Sequence, residues 1–220
     1  MSDVWPSLLF SLRIAIVATS LAAAIGVPLA YAMARRPFRG RALLEGLILM
    51  PMVLPPTVVG YAIIMAFGSR GWVGAWLGRC FDYSITFRFE GAVLAAAVVA
   101  LPILYLPSRA AFAGVERDLE DAARLSGAGG VRLFVQISLP LARRGIVSGL
   151  LLGFARSVGE FGATLMVLGW QPGRVTLPIS VYADYTRGEL ASATPAVAAL
   201  SAISLALVMA YNASSAAKQD

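Results

Sequence analysis

Residues Glu120 to Pro140 read EDAARLSGAGGVRLFVQISLP, a polar and patterned stretch in a chain that is otherwise mostly apolar. A short amphipathic helix is predicted over residues 115–126, because small or apolar residues recur there at helical spacing, at Val115, Leu119, Ala122 and Ser126. The rest of this helix carries the charged residues Glu116, Arg117, Asp118, Glu120, Asp121 and Arg124. Gly127 stands where a left-handed glycine would end it. A second short helix is predicted over residues 131–137, ended by Pro140.

The composition indicates an integral membrane protein. Of the 220 residues, 59% are hydrophobic and 14% are charged, whereas soluble domains have about 45–50% apolar and about 25% charged residues. Histidine is absent, Lys218 is the single lysine, and Cys80 is the single cysteine. These absences exclude a Ser-His-Asp triad, a histidine-ligated metal and an internal Walker A loop. We therefore expect no catalytic residue, no metal site and no cofactor in this chain.

Five apolar segments are long enough to cross a membrane, which takes about 20 helical residues. They lie at about residues 7–34, 42–68, 90–111, 144–170 and 191–212, and they predict one all-α transmembrane domain over residues 1–220. The first and fourth segments carry small residues at every fourth position, which favours close helix packing: Ala18, Ala22, Gly26, Ala30 and Ala34, then Gly145, Gly149, Gly153 and Ser157. Residues 69–89 are predicted as a polar, aromatic connection at the membrane interface. The pattern of residues 172–189 predicts no particular fold.

Two features inside the segments indicate a path for a solute. Pro51, Pro55 and Pro56 predict a break in the second segment, and irregular backbone at membrane depth persists only against protein or a water-filled path. Arg156 and Glu160 lie four residues apart in the fourth segment, so they share a helical face. Two interpretations of them stay open. They neutralise each other as packing contacts, or one of them borders the path of a charged solute.

The arginines predict which side of the membrane each connection faces. They are concentrated after the first segment and between the third and fourth, so the positive-inside rule places residues 114–140 and the C-terminus in the cytosol, with the N-terminus outside. The net charge of +6 is explained by this topology, and no nucleic-acid partner is expected. The opening stretch is then either a solvated cytosolic loop or a docking surface for another protein.

The same stretch resembles the cytoplasmic motif EAA-x3-G-x9-I-x-L-P of binding-protein-dependent ABC importer permeases. Asp121, Ala122 and Ala123 stand for EAA, with Asp121 as the one departure, and Gly127 stands for the glycine. Ile137, Leu139 and Pro140 complete the motif. Four further segments, VLPPTVVGY (53–61), FEGAVLAAAV (89–98), FARSVGEFGAT (154–164) and PGRVTLPISVY (172–182), are similar to molybdate ABC transporter permeases. The resemblance covers essentially the whole chain.

This resemblance implies a type I ABC importer permease fold in the cell (inner) membrane, surrounded by lipid. Two copies of the chain would form the pore, and two cytosolic ATPase subunits would hold ATP and Mg²⁺. A periplasmic or extracellular binding protein would deliver molybdate, with the chemically similar tungstate as an additional candidate substrate. Sulfate or thiosulfate is the alternative substrate. Two other functions fit the sequence less well. A membrane-embedded enzyme would need a cluster of acids or a nucleophile with its base, and no such cluster appears. A channel without energy input would not need a patterned docking stretch.

The resemblance implies which residues contact the ATPase, and the proline break and the polar residues of the fourth segment indicate which residues line a path. Contact with the ATPase is expected at Asp118, Leu119, Asp121, Ala122, Ala123, Arg124, Gly127, Ile137, Leu139 and Pro140. A path for a dianion needs hydrogen-bond donors, and the candidates that line it are Pro55, Pro56, Thr57, Arg156, Ser157, Glu160 and Thr164.

Overall fold

The computed structural model describes residues 4–171 and 173–216, and the regular structure within them is entirely helical. The elements are α1 (Val4–Arg35), α2 (Arg41–Val53), α3 (Pro56–Phe67), α4 (Trp72–Phe81), α5 (Phe89–Ala113), α6 (Arg117–Leu125), α7 (Gly130–Leu133), a π-helical turn (Phe134–Ser138), α8 (Leu139–Val158), α9 (Gly162–Leu168), α10 (Leu177–Thr186) and α11 (Leu190–Ala216).

Helix α5 lies at the centre of the bundle and packs mainly against α1 and α8. The predicted small-residue stripes make these contacts. A Cβ atom added to Gly26 of α1 would lie 3.0 Å from Leu101 Cδ1, and one added to Gly149 of α8 would lie 2.7 Å from the Leu104 carbonyl oxygen. Larger side chains at these positions would therefore separate the helices, and the predicted close packing is confirmed.

The broken pair α2 and α3 crosses the bundle despite a bend of 118° between the two helices. Helices α1 and α5 run parallel, because Phe10 and Phe89 contact at one end with ring centroids 6.0 Å apart, and Tyr31 and Phe112 contact at the other end at 5.3 Å. The chain leaves α1 at one end and enters α5 at the opposite end, so residues 36–88, which contain the broken pair, traverse the bundle between them. The predicted proline break is confirmed at Leu54 and Pro55, whereas Pro51 lies inside α2.

Helices α8 and α11 complete five crossings. Helix α8 runs antiparallel to α5, with Gly145 against Ala111 near one end and Gly153 against Leu104 further along. Helix α11 begins beside Phe161, at the far end of α8, and its last turns line a cavity with Pro107 near the end of α5. The described chain therefore starts and finishes at opposite ends of the bundle.

Helix boundaries around the fourth segment differ from the prediction. A continuous helix runs from Gly130 to Val158, and the separate helix α9 begins only at Gly162. The predicted end of the second short helix at Pro140 is wrong, because Pro140 lies in the first turn of α8. In the preceding π turn the Leu139 N–H donates to the carbonyl oxygen of Phe134, and this wider turn accommodates a proline ring that would clash in a regular α-helix.

Two short helices lie in segments for which no helix was predicted. Helix α4 occupies part of the segment expected to be a polar connection, and α10 occupies most of residues 172–189. Helix α10 packs against α11 and α1, and its first N–H, from Leu177, donates to Ser11 Oγ over 2.8 Å. Such tertiary contacts stabilise a helix too short to persist alone, which explains why the local pattern did not reveal α10.

Candidate coupling surface and transport path

Helix α6 ends at Gly127 as predicted. Gly127 has a φ of +87°, and its N–H donates to the carbonyl oxygen of Arg124 at 2.9 Å. The N–H of Ala128 donates to the carbonyl oxygen of Ala123 at 3.0 Å. These two bonds form a Schellman motif, which satisfies carbonyl groups that the helix end would otherwise leave without partners. The corner between α6 and α7 is therefore a defined structure rather than an irregular loop.

Apolar side chains are exposed on this corner, at the end of the bundle where α1 and α5 finish. Leu125 is 91% exposed and Val131 is 80% exposed, and Leu119 and Val135 are about half exposed. We call α6 and residues 126–135 the coupling surface. Most of the predicted docking residues lie open on or beside it, namely Asp118, Leu119, Asp121, Ala122, Arg124, Gly127 and Pro140, while Ala123, Ile137 and Leu139 are partly buried.

Glu120 does not lie on the outer, charged face of α6, where the sequence pattern placed it. Its side chain is 2% exposed and accepts hydrogen bonds from Arg35 Nε at 3.0 Å and Ser138 Oγ at 2.6 Å. The expected apolar stripe faces outward instead, with only Val115 buried. Arg35 lies 85 residues away at the end of α1, so no local spacing signals this partner.

The two stretches predicted to line a path lie next to each other. A Cβ atom added to Gly162, at the start of α9, would lie 3.0 Å from Pro56 Cβ and 3.4 Å from the backbone nitrogen of Thr57. Pro55 and Thr57 are exposed, whereas Ser157, Glu160 and Thr164 are buried among the helices of this chain. Ser157 accepts a hydrogen bond from Thr19 Oγ1 at 3.4 Å, which places it in a contact between α8 and α1.

Arg156 and Glu160 form an ion pair, with 2.7 Å between Arg156 Nη2 and Glu160 Oε2. The other carboxylate oxygen of Glu160 accepts the N–H of Ala163 at 2.8 Å, in the first turn of α9. The predicted pairing is therefore present, and a role for either residue beside a solute path stays a prediction. The carboxylate also satisfies an N–H that the start of a helix leaves without a backbone acceptor.

A further ion pair, not predicted from the sequence, joins Glu45 of α2 to Arg109 of α5. The two residues are 64 positions apart, so the sequence carries no spacing signal for this contact either. It attaches the first half of the broken span to the central helix.

Comparisons with known proteins agree with this architecture. The family model described as "Binding-protein-dependent transport system inner membrane component" matches residues 26–217. The molybdenum transport system permease protein ModB of Escherichia coli (strain K12) is 40% identical over 206 residues, which cover 93% of this chain and 89% of that protein. The sulfate transport system permease protein CysW of Synechocystis sp. is 32% identical over 192 residues, covering 87% of this chain and 69% of that protein.

Among solved structures, the chain is similar to the one titled "Crystal structure of bacterial alginate ABC transporter in complex with alginate pentasaccharide-bound periplasmic protein". The TM-score is 0.72 at 15% identity, over 96% of this chain and 78% of that chain. At this identity the likeness shows the fold alone, and it confirms the all-helical permease fold expected from the sequence. The chain is a multi-pass membrane protein that belongs to the family of binding-protein-dependent transport system inner membrane components, and its role is that of a pore-forming subunit rather than an enzyme.

Proposed function

We propose that this chain is the permease of an ATP-driven importer of molybdate, with tungstate as a close alternative cargo. The substrate assignment rests on the 40% identity to a molybdenum permease over nearly the whole chain, compared with 32% to a sulfate permease. Sulfate or thiosulfate is the second candidate. In this proposal two copies of the chain form the pore, and a separate binding protein delivers the oxyanion from outside.

The observation that carries the energy-coupling part of the proposal is the coupling surface. Leu119, Leu125 and Val131 expose apolar side chains on a folded corner that also carries Asp121 and Arg124, joined by a hydrogen bond of 2.6 Å. Exposed apolar patches with polar rims are typical of protein–protein contacts. The proposed occupant is one of two separate ATPase subunits, which hold ATP and Mg²⁺, so this chain needs no cofactor of its own.

The orientation follows from the same assignment. An ATPase in the cytosol requires the coupling surface to face the cytosol, in agreement with the arginines that cluster at this end of the bundle. The N-terminus then lies outside and the C-terminus inside. The whole of residues 114–140 belongs to the cytosolic side, as the sequence predicts.

Transport in this scheme is rigid-body gating of the bundle. Closure of the ATPase pair moves α6, and the helices switch between states open to the outside and to the inside. The switch is driven by the difference in ATP affinity between those states. Along the path, Thr57 offers its hydroxyl and a backbone N–H at the start of α3, where the first N–H groups of a helix lack helical acceptors and attract anions.

Reconstitution of the complete transporter tests the proposal. The permease, its ATPase and its binding protein are placed in proteoliposomes, and ATP hydrolysis is measured with molybdate, tungstate or sulfate. We expect molybdate and tungstate to stimulate hydrolysis only when the binding protein is present, and sulfate to have little effect. Stimulation by sulfate alone would favour the second candidate, and no response to any of the three oxyanions would refute the proposal.

A further inference from the structure

The buried carboxylate of Glu120 joins three separate parts of the chain. It receives Arg35 from the last turn of α1, with 2.9 Å between Arg35 Nη2 and Glu120 Oε1, and Ser138 from the π turn at 2.6 Å. Arg35 Nη2 also donates to the carbonyl oxygen of Val115 at 2.9 Å, just before α6 begins. Arg124 lies at 3.8 Å on the outer side of the carboxylate.

We propose that the Glu120–Arg35 ion pair is the link through which movement of α6 reaches the membrane bundle. The inference rests on the proposed function, because it takes a separate ATPase as the source of that movement. It assigns Glu120 and Arg35 as positioning residues: they transmit the displacement of the coupling surface without contacting nucleotide or cargo.

The packing of α6 explains why this link matters. Of its large apolar side chains, Leu125 is almost fully exposed and Leu119 is only half buried, beside a cavity lined by Pro107 and Leu141, so apolar burial holds the helix only weakly. Its main backbone contacts are with α7 and the π turn rather than with α1 or α5. The Arg35 side chain is 9% exposed and that of Glu120 is 2% exposed, so the pair is sheltered from water and is screened less by salt than a surface pair.

A layer of aromatic rings continues the link into the bundle. Tyr31, one helical turn before Arg35, has its ring centroid 4.9 Å from that of Phe134 in the π turn and 5.3 Å from that of Phe112 in α5. A displacement of Arg35 therefore acts directly on α1 and, through packed rings, on the central helix. The ion pair and the ring layer together connect a surface helix to two parallel spans.

The test compares E120Q, R35Q and the double variant with wild type in the reconstituted complex of permease, ATPase and binding protein. E116Q is the matched control, because it makes the same substitution on an exposed glutamate four residues earlier. Two quantities are measured, namely molybdate taken up per ATP hydrolysed and the ATP-dependent change in distance between spin labels on α1 of the two copies. The labels are placed at S20C in a C80S background, and the distance readout does not depend on the cargo.

Removing one partner of a buried ion pair disrupts the arrangement that it holds, so we expect E120Q and R35Q to lower uptake per ATP by at least about tenfold. The ATP-dependent distance change should shrink in the same variants, while ATPase binding stays within about twofold of wild type and E116Q behaves as wild type. The double variant should be no worse than the more impaired single variant, since both remove the same link. Losses that multiply in the double variant would show that the residues act independently and would overturn the inference.

Two milder variants decide the question if E120Q does not assemble. R35K keeps the charge but loses the fork that reaches both Glu120 and Val115, and S138A removes one hydrogen bond, so both should lower uptake per ATP by about threefold. Wild-type coupling in both variants would overturn the inference while leaving the proposed function intact. A wild-type complex that fails to couple hydrolysis to the binding protein would instead refute the proposed function, and the inference with it.

Discussion

Gly127 determines the end of α6 through its backbone conformation rather than through packing. Its φ is +87°, and a Cβ atom added there would meet nothing within 4 Å. The left-handed conformation costs a residue other than glycine about 1–2 kcal/mol, and asparagine tolerates it better than most. We therefore expect Gly127→Val to weaken binding of the purified ATPase by about fivefold or more, and Gly127→Asn to bind almost normally. Gly127→Pro should bind worst, because it also loses the N–H that donates to Arg124.

Gly129 supplies the matched control for this prediction. It lies two residues later with φ of −71° and with nothing within 4 Å of an added Cβ atom. Gly129→Val adds the same bulk to the coupling surface without a left-handed conformation, so it should weaken ATPase binding less than Gly127→Val in the same titration. Equal losses at both positions would show that side-chain bulk on the coupling surface, and not the left-handed corner, governs docking.

The contrast between Gly127 and Glu120 shows what the sequence reveals about single residues. Gly127 was predictable because a helix end depends on residues within one turn of it. Glu120 was placed on the wrong face because a charged side chain is ordinarily exposed, and its partner Arg35 is brought to it only by the tertiary fold. The Glu45–Arg109 pair was missed for the same reason.

The contact between α3 and α9 holds the two interrupted regions together. A Cβ atom added to Gly60 of α3 would lie 2.7 Å from Met166 Cβ and 2.9 Å from Ala163 Cα, so the backbones of the two helices would have to separate. Overpacking of this kind costs about 1–3 kcal/mol. We expect Gly60→Ala to lower the thermal unfolding midpoint of the detergent-purified permease by several degrees.

Gly46→Ala in α2 is the control, because a Cβ atom there meets nothing within 4 Å. Alanine is favoured over glycine inside a helix by about 1 kcal/mol, so this variant should melt at the same temperature as wild type or slightly higher. A Gly60→Ala variant as stable as Gly46→Ala would mean that α3 and α9 are not held at this distance.

At the scale of elements, local chemistry predicts where a helix is interrupted better than it predicts how the helices are arranged around the interruption. The break near Pro55 follows from missing N–H donors, and it was predictable, but the bend of 118° depends on how α3 packs against α9. Pro140 suggested a helix end, yet the π turn before it lets the helix continue to Val158. Helix α10 depends on a tertiary contact with α1 that no sequence window contains.

At the scale of the whole molecule, α1 and α5 run parallel, so the chain must cross the bundle an odd number of times between the end of α1 and the start of α5. The coupling surface therefore lies at the end of the bundle opposite the start of α5. The sequence alone reached the same number of spans through hydropathy, and its arginines predict which end faces the cytosol. Hydropathy could not show that a pair of helices bent by 118° makes a single crossing. That conclusion needed the aromatic contacts at both ends of α1.

The single cysteine offers a direct test of the proposed orientation. Cys80 is exposed near the end of α4, between α3 and the start of α5, so a membrane-impermeant maleimide should label it in intact spheroplasts. In a Cys80→Ser background, Ser126→Cys on the coupling surface should be labelled only after permeabilisation, because Ser126 is exposed at the opposite end of the bundle. A cytosolic marker protein that stays unlabelled verifies that the membrane is intact. The reverse labelling pattern would place the coupling surface outside the cell, away from any cytosolic ATPase, and would refute the proposed orientation.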